Sequence, residues 1–115
     1  MLNTCLLAGN LGNDPEIHFA PSGEQIASFN LAFRAGKART GWIKVTCFNK
    51  LSEVCEKHLH KGARVCVTGL LDFSQWETKE GAKRSAIQII ATNLEFIRTD
   101  GRGFEEGQRG EDAPF

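Results

Sequence analysis

Several features that would place the chain in a membrane, metal-binding or nucleotide-binding class are missing from its 115 residues. No segment approaches the roughly 20 apolar residues of a membrane-spanning helix. The four cysteines include no Cys-x-x-Cys pair, and no Gly-x-x-x-x-Gly-Lys loop or dinucleotide fingerprint follows the N-terminal glycines. We therefore expect neither a membrane protein, nor a metal site, nor a bound cofactor.

We expect no secretory signal, because residues 1–5 have no basic n-region and no long apolar run follows them. The cysteines fall inside predicted apolar strands or a predicted helix. We expect buried thiols in a reducing compartment, the cytoplasm, rather than disulfides.

The chain has no formal net charge, but its two parts carry opposite net charges. Residues 1–98 contain 12 Lys or Arg and 9 Asp or Glu, whereas residues 99–115 contain 2 and 5. The first part therefore carries a net charge of +3 and the second of −3. A basic body can bind an anionic partner, while the acidic tail binds something else or competes for the same surface.

The stretch from Trp42 to Lys50 has an unusual pattern for a strand. Side chains alternate between the two faces of a strand, so residues 43, 45 and 47 are expected to face the core. The other face carries two aromatic rings, a cation and a hydroxyl, from Trp42, Phe48, Lys44 and Thr46. Exposed rings beside positive charge suit unstacked bases on a phosphate backbone. A core or oligomer contact is the alternative explanation for the two aromatics.

Hydrophobic periodicity predicts three strands, one helix and two further strands. The predicted strands cover 2–11, 25–34, 42–48, 63–76 and 84–97, with a short strand fragment at 16–19 and a helix from about 51 to 60. Asn49 is placed to cap the helix and Gly62 to end it, and Gly69 marks a kink in the fourth strand. This order predicts an all-β fold, a five-stranded OB-fold barrel of the Greek-key type with its α-helix between strands 3 and 4.

The C-terminal residues differ in composition from this barrel. We divide the chain into a barrel domain at 1–98, a short flexible linker at 99–110 and a tip at 111–115. The linker is rich in glycine and charge and cannot bury enough apolar surface to fold, so we expect a disordered acidic tail. The tip combines two carboxylates, a proline and a terminal ring, which suits capture by a partner's pocket with a basic rim. These partner-binding candidates are Glu111, Asp112, Ala113, Pro114 and Phe115.

Six segments, in order and with matching spacing, resemble the bacterial single-stranded DNA-binding proteins. They are residues 3–15, 42–45, 48–54, 59–62, 69–76 and 111–115, so the resemblance covers nearly the whole chain. It implies an OB-fold that assembles as a homotetramer and wraps single-stranded DNA in the bacterial cytoplasm, in association with the nucleoid. It also implies that the tip recruits proteins of replication, recombination and repair.

The same resemblance implies roles for individual residues. By position, the residues similar to the family's base-stacking aromatics are Trp42, Phe48 and Trp76. Those similar to its phosphate contacts are Lys44, Lys50, Lys61 and Arg84. Stacking tolerates every base, and Lys and Arg release counterions from the backbone, so we expect largely sequence-independent, salt-sensitive binding.

Besides its linker, which is shorter than usual, the chain departs from the family pattern at two places in the barrel. The hairpin loop at 35–41 holds no aromatic where the family commonly has another stacking Trp, and parity puts the nearest ring, Phe33, with the core. The run at 72–75 reads Asp-Phe-Ser-Gln, where the family tends to be basic. We therefore expect further phosphate contacts at other cations, namely Arg34, Lys79 and Lys83.

Two other functions remain open. A primosomal OB-fold accessory protein would have the same barrel, although such proteins lack an acidic Pro-Phe tip. A thiol enzyme would pair Cys55 or Cys66 with His58 or His60. Two histidines two residues apart on a helix point in different directions, and the cysteines follow the core period, so we expect no catalytic residue.

Overall fold

The computed structural model of the chain describes residues 1–97, which form six β-strands and one α-helix. The elements are β1 (Cys5–Leu11), β2 (Glu16–Phe19), β3 (Gln25–Arg34), β4 (Thr40–Phe48), α1 (Lys50–His58), β5 (Arg64–Glu77) and β6 (Lys83–Phe96). The predicted linker and tip lie outside the described residues. Within residues 1–97, no helix is long and apolar enough to cross a lipid bilayer.

The strands close into a small barrel. They hydrogen-bond in the order β1, β5, β6, β4, β3, β2, and β1 returns to pair with β3 at Asn10 and Leu11. All pairs are antiparallel except β4 with β6, which is parallel. This is the closed five-stranded connectivity of an OB-fold, so the predicted fold class is confirmed. The fragment at 16–19 is a strand of its own, β2, which pairs with β3 and makes the helix follow the fourth strand of the chain.

The alternation predicted for β3 and β4 is confirmed by burial. Six inward-facing residues of these strands and of β5 and β6 are at most 2 % exposed: Phe29, Leu31, Val45, Val65, Val67 and Ile89. Fully burying a side chain of this size stabilises the fold by about 1.5–3 kcal/mol. The barrel interior therefore holds the strands in one register, and this register decides which residues of the same strands point outward.

The predicted kink at Gly69 is confirmed. The pairing of β5 with β6 shifts register between Thr68 and Gly69, which is a β-bulge. A Cβ atom at position 69 would collide with the backbone oxygen of Ile90. Only glycine permits this close approach, so the bulge bends β5 around the barrel before the strand continues into the hairpin with β6.

The helix α1 packs against β3, β4 and β6, and both of its predicted boundary residues act differently from expectation. Asn49 precedes the helix, but its side chain makes no capping hydrogen bond and donates instead to Oε2 of Glu24 at 2.8 Å. The helix ends at His58 because Leu59 turns to an extended conformation and is buried, at 7 % exposure. Gly62 therefore does not end the helix. It adopts φ +91° in the turn that follows, and its N–H donates to the oxygen of Leu11.

Candidate nucleic-acid interface

The outward side of β3, β4, β6 and β5 forms one continuous surface, which we call the outer face. Residues paired across neighbouring strands point to the same side of a sheet. The register pairs Asn30 of β3 with Lys44 of β4, Lys44 with Gln88 of β6, and Gln88 with Asp72 of β5. We call these four residues the polar row. Counting in steps of two from this row, the outer face also includes Arg34, Trp42, Thr46, Phe48, Trp76 and Arg84.

Trp42 presents a ring that is held in place on the outer face. Its side chain is 60 % exposed, and the edge of its six-membered ring lies against Gly12, the residue that follows β1. A Cβ atom at position 12 would collide with ring atom Cζ3, so glycine makes room for the ring. Because the ring is already positioned, it loses little freedom when a base stacks on it.

Trp76 brings a second ring to the outer face from the β5–β6 hairpin. It is 50 % exposed and lies opposite Arg84, which is also exposed. β6 pairs with β4 only at residues 88–90, so among residues 1–97 no third strand pairs with the hairpin at Trp76. The ring and the guanidinium therefore extend the outer face beyond the wall of the barrel.

Phe48 and Lys50 lie where β4 passes into α1. Phe48 is the last residue of β4 and half-buried, and Lys50 is the exposed first residue of the helix. Asn49 between them has φ 56°, which turns the chain away from the strand direction. Phe48 thus offers part of its ring to the outer face, and Lys50 lies at the border of that face.

Three exposed cations belong to the outer face itself: Arg34, Lys44 and Arg84. Lys44 lies between Trp42 and Phe48 in the alternation of β4. None of the three forms an ion pair with a carboxylate within residues 1–97. Their charges are therefore available to an anionic ligand.

The remaining predicted contacts lie off the outer face. Lys61 is exposed in the turn after α1, where its N–H donates to Oδ1 of Asp14 at 2.8 Å, close in sequence to the Gly12 that contacts Trp42. Lys79 lies in the turn of the β5–β6 hairpin. Lys83 is paired with Glu77, and alternation points it to the opposite side of the hairpin from Trp76. The structure thus brings together six of the ten predicted contacts, places Lys50 and Lys61 near the border, and separates Lys79 and Lys83 from the rest.

A hydrogen-bonded chain crosses the outer face, and sequence reasoning missed it. The hydroxyl of Thr46 donates to Oε1 of Gln88 at 2.5 Å, and Nε2 of Gln88 donates to Oδ2 of Asp72 at 3.0 Å. Thr46 is only 7 % exposed, so this hydrogen-bonded chain is anchored in the barrel wall. Thr46 and Gln88 are 42 residues apart and meet only through the parallel pairing of β4 with β6. In the sequence, the one indication of these contacts was that Asp72 stands in the run at 72–75, where the family tends to be basic.

A shallow polar depression lies beside Lys44, and its other lining residues were not predicted from the sequence. It is lined by Asn13, Glu16, Ser28, Phe29 and Asn30 together with Lys44. Oδ1 of Asn13 accepts a hydrogen bond from the N–H of Asn30 at 2.9 Å, which fixes the segment after β1 against β3. The depression extends the outer face toward β2 with hydrogen-bonding groups, and the one ring in its lining, Phe29, is buried.

The loop after β3 adds no ring to the outer face. Phe33 is half-buried, and its ring contacts Gly41, its partner on β4. Parity places it on the inner side, as the sequence predicts. The rings of the outer face are therefore Trp42, Phe48 and Trp76.

The cysteines and histidines do not form a catalytic pair in the described part of the chain. Cys47 and Cys55 are fully buried, and their Sγ atoms lie 3.5 Å apart. The hydrogen bond between the two thiols raises the pKa of Cys47 and lowers that of Cys55. Both side chains are closed off from solvent, which opposes reaction of either thiol with a substrate. The ring of His58 lies 5.9 Å from that of Phe96, and Nδ1 of His60 contacts the oxygen of Lys61. Among residues 1–97, no group of three His, Cys, Asp or Glu side chains could hold a metal ion.

Comparison with known proteins agrees with the geometry of the outer face. The sequence pattern of the single-strand binding protein family matches residues 2–97. The "Single-stranded DNA-binding protein 1" of Chlorobaculum tepidum is 31 % identical over 124 residues, which cover 98 % of this chain and 76 % of that protein. The "Single-stranded DNA-binding protein" of Neisseria meningitidis serogroup A and that of serogroup B are each 32 % identical over 119 residues, covering 92 % of this chain and 68 % of theirs. These matches favour neither the primosomal nor the thiol-enzyme hypothesis. They establish that the chain belongs to the single-strand binding protein family, whose members are DNA-binding proteins without enzymatic activity.

Proposed function

We propose that the chain binds single-stranded DNA on its outer face, largely without regard to base sequence. One observation carries the proposal: two tryptophan rings, 60 % and 50 % exposed, share this face with cations that have no ion-pair partner within residues 1–97. Stacking a base on such a ring contributes about 1–3 kcal/mol and tolerates all four bases. The names of the relatives support the same class of ligand.

The cations supply the second part of the proposed binding energy. Arg34, Lys44 and Arg84 flank the stacking rings, and Lys50 and Lys61 continue the positive charge at the border. Each phosphate that such a residue neutralises releases counterions and lowers the slope of log K against log salt by about 0.7. We also propose Lys79 and Lys83 as phosphate contacts, for a DNA strand that passes around the hairpin turn.

We propose that the binding form is a homotetramer. One edge of β1 pairs with β5, but its other edge pairs with β3 only at Asn10 and Leu11. Within residues 1–97, the backbone at 5–8 therefore has no strand partner on that side. Leu2 and Leu6 are 88 % and 66 % exposed in the same region. An open strand edge with exposed leucines favours pairing with a second copy of the chain.

The proposed cellular role follows from these two properties. In the bacterial cytoplasm, at the nucleoid, the protein protects single-stranded DNA during replication, recombination and repair. Residues 111–115, which lie outside the described residues, recruit partner proteins of these processes. Their sequence supports this role, because two carboxylates beside a proline and a terminal ring suit a basic-rimmed pocket.

Titration of tryptophan fluorescence with oligo-dT at several salt concentrations tests the DNA-binding proposal, and a mass measurement in solution tests the assembly. We expect saturable quenching, an affinity that falls as salt rises, and the mass of four chains. Absent quenching, or an affinity that does not change with salt, contradicts DNA binding on this face. A monomeric mass with and without oligo-dT contradicts the tetramer.

Removal of residues 113–115 tests the recruitment proposal separately. We expect DNA binding to stay intact or become slightly tighter. None of the deleted side chains carries a charge, but the deletion removes the terminal ring, which can then no longer compete with DNA for the basic face. Capture of partner proteins from a bacterial lysate should be lost. Recovery of the same proteins with the full-length and shortened chains contradicts the role of the tip.

A further inference from the structure

The polar row carries a carboxylate in the middle of a surface that otherwise presents cations and rings. Asp72 is half-buried and belongs to the outer face, because it pairs with Gln88, which pairs with Lys44. Its Oδ2 accepts the hydrogen bond from Gln88, whereas within residues 1–97 its Oδ1 accepts none. No cation forms an ion pair with Asp72 in this part of the chain. One acceptor oxygen is therefore presented to whatever lies on the outer face.

The hydrogen-bonded chain from Thr46 fixes the position of this carboxylate. Because the Thr46 hydroxyl donates to Oε1 of Gln88, the NH₂ group of the same amide must point toward Asp72. Because Thr46 is almost completely buried, the hydrogen-bonded chain cannot rearrange freely. Asp72 is thus held on the outer face, although an unpaired carboxylate there repels the phosphates of a bound strand.

A fixed carboxylate favours ligand groups that donate hydrogen bonds. The N4 amino group of cytosine is a donor that Asp and Glu accept from. Thymine has an acceptor, O4, in the corresponding position, and its one ring donor lies between two carbonyl oxygens. Asp72 and Trp76 are four residues apart on β5, about 13 Å along the strand, so a nucleotide near a base stacked on Trp76, rather than its immediate neighbour, can present its edge to Oδ1.

We propose that Asp72 is a base-discriminating residue of this face, which favours cytosine over thymine in a nucleotide near the one stacked on Trp76. The inference rests on the proposed single-stranded DNA binding. Thr46 and Gln88 act as positioning residues, since they hold the carboxylate without contacting the base. Stacking on the tryptophans remains indifferent to sequence, so the preference is a modest bias within general binding.

The test compares the dissociation constants of oligo-dC and oligo-dT of equal length in the wild type and in Asp72→Asn. Asparagine keeps the volume and an oxygen that accepts from Gln88, but it turns an amide donor toward the base, where thymine O4 is an acceptor. We expect both oligonucleotides to bind more tightly, because a negative charge is removed. The ratio Kd(dT)/Kd(dC) should fall about fivefold, the lower end of the range for one base contact.

Glu77→Gln is the matched control, since it removes the same charge from the same strand on the opposite side of the hairpin from Trp76. It should leave the ratio Kd(dT)/Kd(dC) unchanged. Thr46→Val removes the anchoring hydroxyl without changing charge, so the ratio should fall while the salt dependence stays the same.

Three outcomes are distinguishable. If the wild type binds neither oligonucleotide, the proposed function fails. If it binds both and Asp72→Asn leaves the ratio unchanged, or shifts it no more than Glu77→Gln does, base discrimination by Asp72 is overturned. If Asp72→Asn shifts the ratio but Thr46→Val does not, the positioning role of the hydrogen-bonded chain is overturned.

Discussion

The two tryptophans of the outer face are presented by regions of the fold that differ in support. Trp42 lies on β4, which pairs with β3 along its whole length and with β6 at residues 44–46, and its ring rests on Gly12. Trp76 lies on a ribbon of two strands, where β5 and β6 pair only with each other. Two-stranded hairpins are marginally stable by themselves. Trp42 is therefore preorganised for stacking, whereas part of the stacking free energy at Trp76 is spent on ordering the hairpin.

Burial along the same two regions agrees with this difference. The inward residues of β4, Val45 and Cys47, are fully buried beneath the outer face. On the hairpin, Phe73 and Ile87 face the opposite side from Trp76 and are 59 % and 49 % exposed. The barrel wall supports its ligand-facing residues with a core, and the hairpin does not. We therefore expect the wall to contribute more to DNA affinity than the hairpin.

Trp42→Ala should have the largest effect on binding. Losing one preorganised stacking ring should weaken affinity for oligo-dT by about 1–3 kcal/mol, or roughly 5- to 150-fold in Kd. Fluorescence anisotropy of a labelled oligonucleotide measures this without relying on tryptophan emission. Trp42→Phe is the control and should retain most of the affinity, because it keeps a ring. A Trp42→Ala protein that binds as tightly as the wild type contradicts the role of the barrel wall.

Trp76→Ala should have a smaller effect, of about 1 kcal/mol, because the hairpin must be ordered before its ring can stack. The same anisotropy measurement gives the comparison directly. A loss larger than that of Trp42→Ala would reverse the order of the two regions. Equal losses would mean that support by the barrel does not affect stacking.

Gly12→Ala tests whether the contact beneath Trp42 matters. The added Cβ collides with the ring and must push it from its position, at a cost of about 0.5–1.5 kcal/mol in DNA binding free energy. A double-mutant cycle supplies the control, since Gly12→Ala should have no further effect on DNA binding in a Trp42→Ala background. An equal loss in both backgrounds contradicts support of the ring by Gly12.

Lys44→Gln should have the smallest effect at moderate salt. The cation lies on the outer face between Trp42 and Phe48, so its loss should change the slope of log K against log salt by about 0.7. Lys57→Gln makes the same charge change in the last turn of α1, away from the strands of the outer face, and should alter the slope less. Equal changes in slope would mean that the DNA does not distinguish the outer face from the helix.

The sequence was sufficient to predict most of the barrel. Alternation on β3 and β4 identified the inward residues, and the glycine at 69 marked the bulge, because both are local consequences of side-chain direction and backbone approach. The roles of the two residues expected to bound α1 were predicted wrongly. Asn49 hydrogen-bonds to the distant Glu24 instead of capping, and burial of Leu59 ends the helix before Gly62. Such tertiary contacts are not encoded in local propensity.

For the site, the sequence located the rings and cations of the outer face but not the hydrogen-bonded chain between its strands. The alternation of Trp42, Lys44 and Phe48 is local, whereas the link from Thr46 through Gln88 to Asp72 requires three strands to assemble. The separation of Lys83 from Trp76 likewise depends on the register of the hairpin, which composition does not specify. Individual contacts of the ten predicted residues with DNA stay predictions.

Stacking of bases on Trp42 of the outer face is tested most directly with a Trp76→Phe protein. Trp42 is then the one tryptophan left in the chain. Its fluorescence should be quenched saturably by oligo-dT, with an affinity close to that of the wild type that falls as salt rises. Binding that is detected by anisotropy while the emission of Trp42 stays unchanged would contradict stacking on this face.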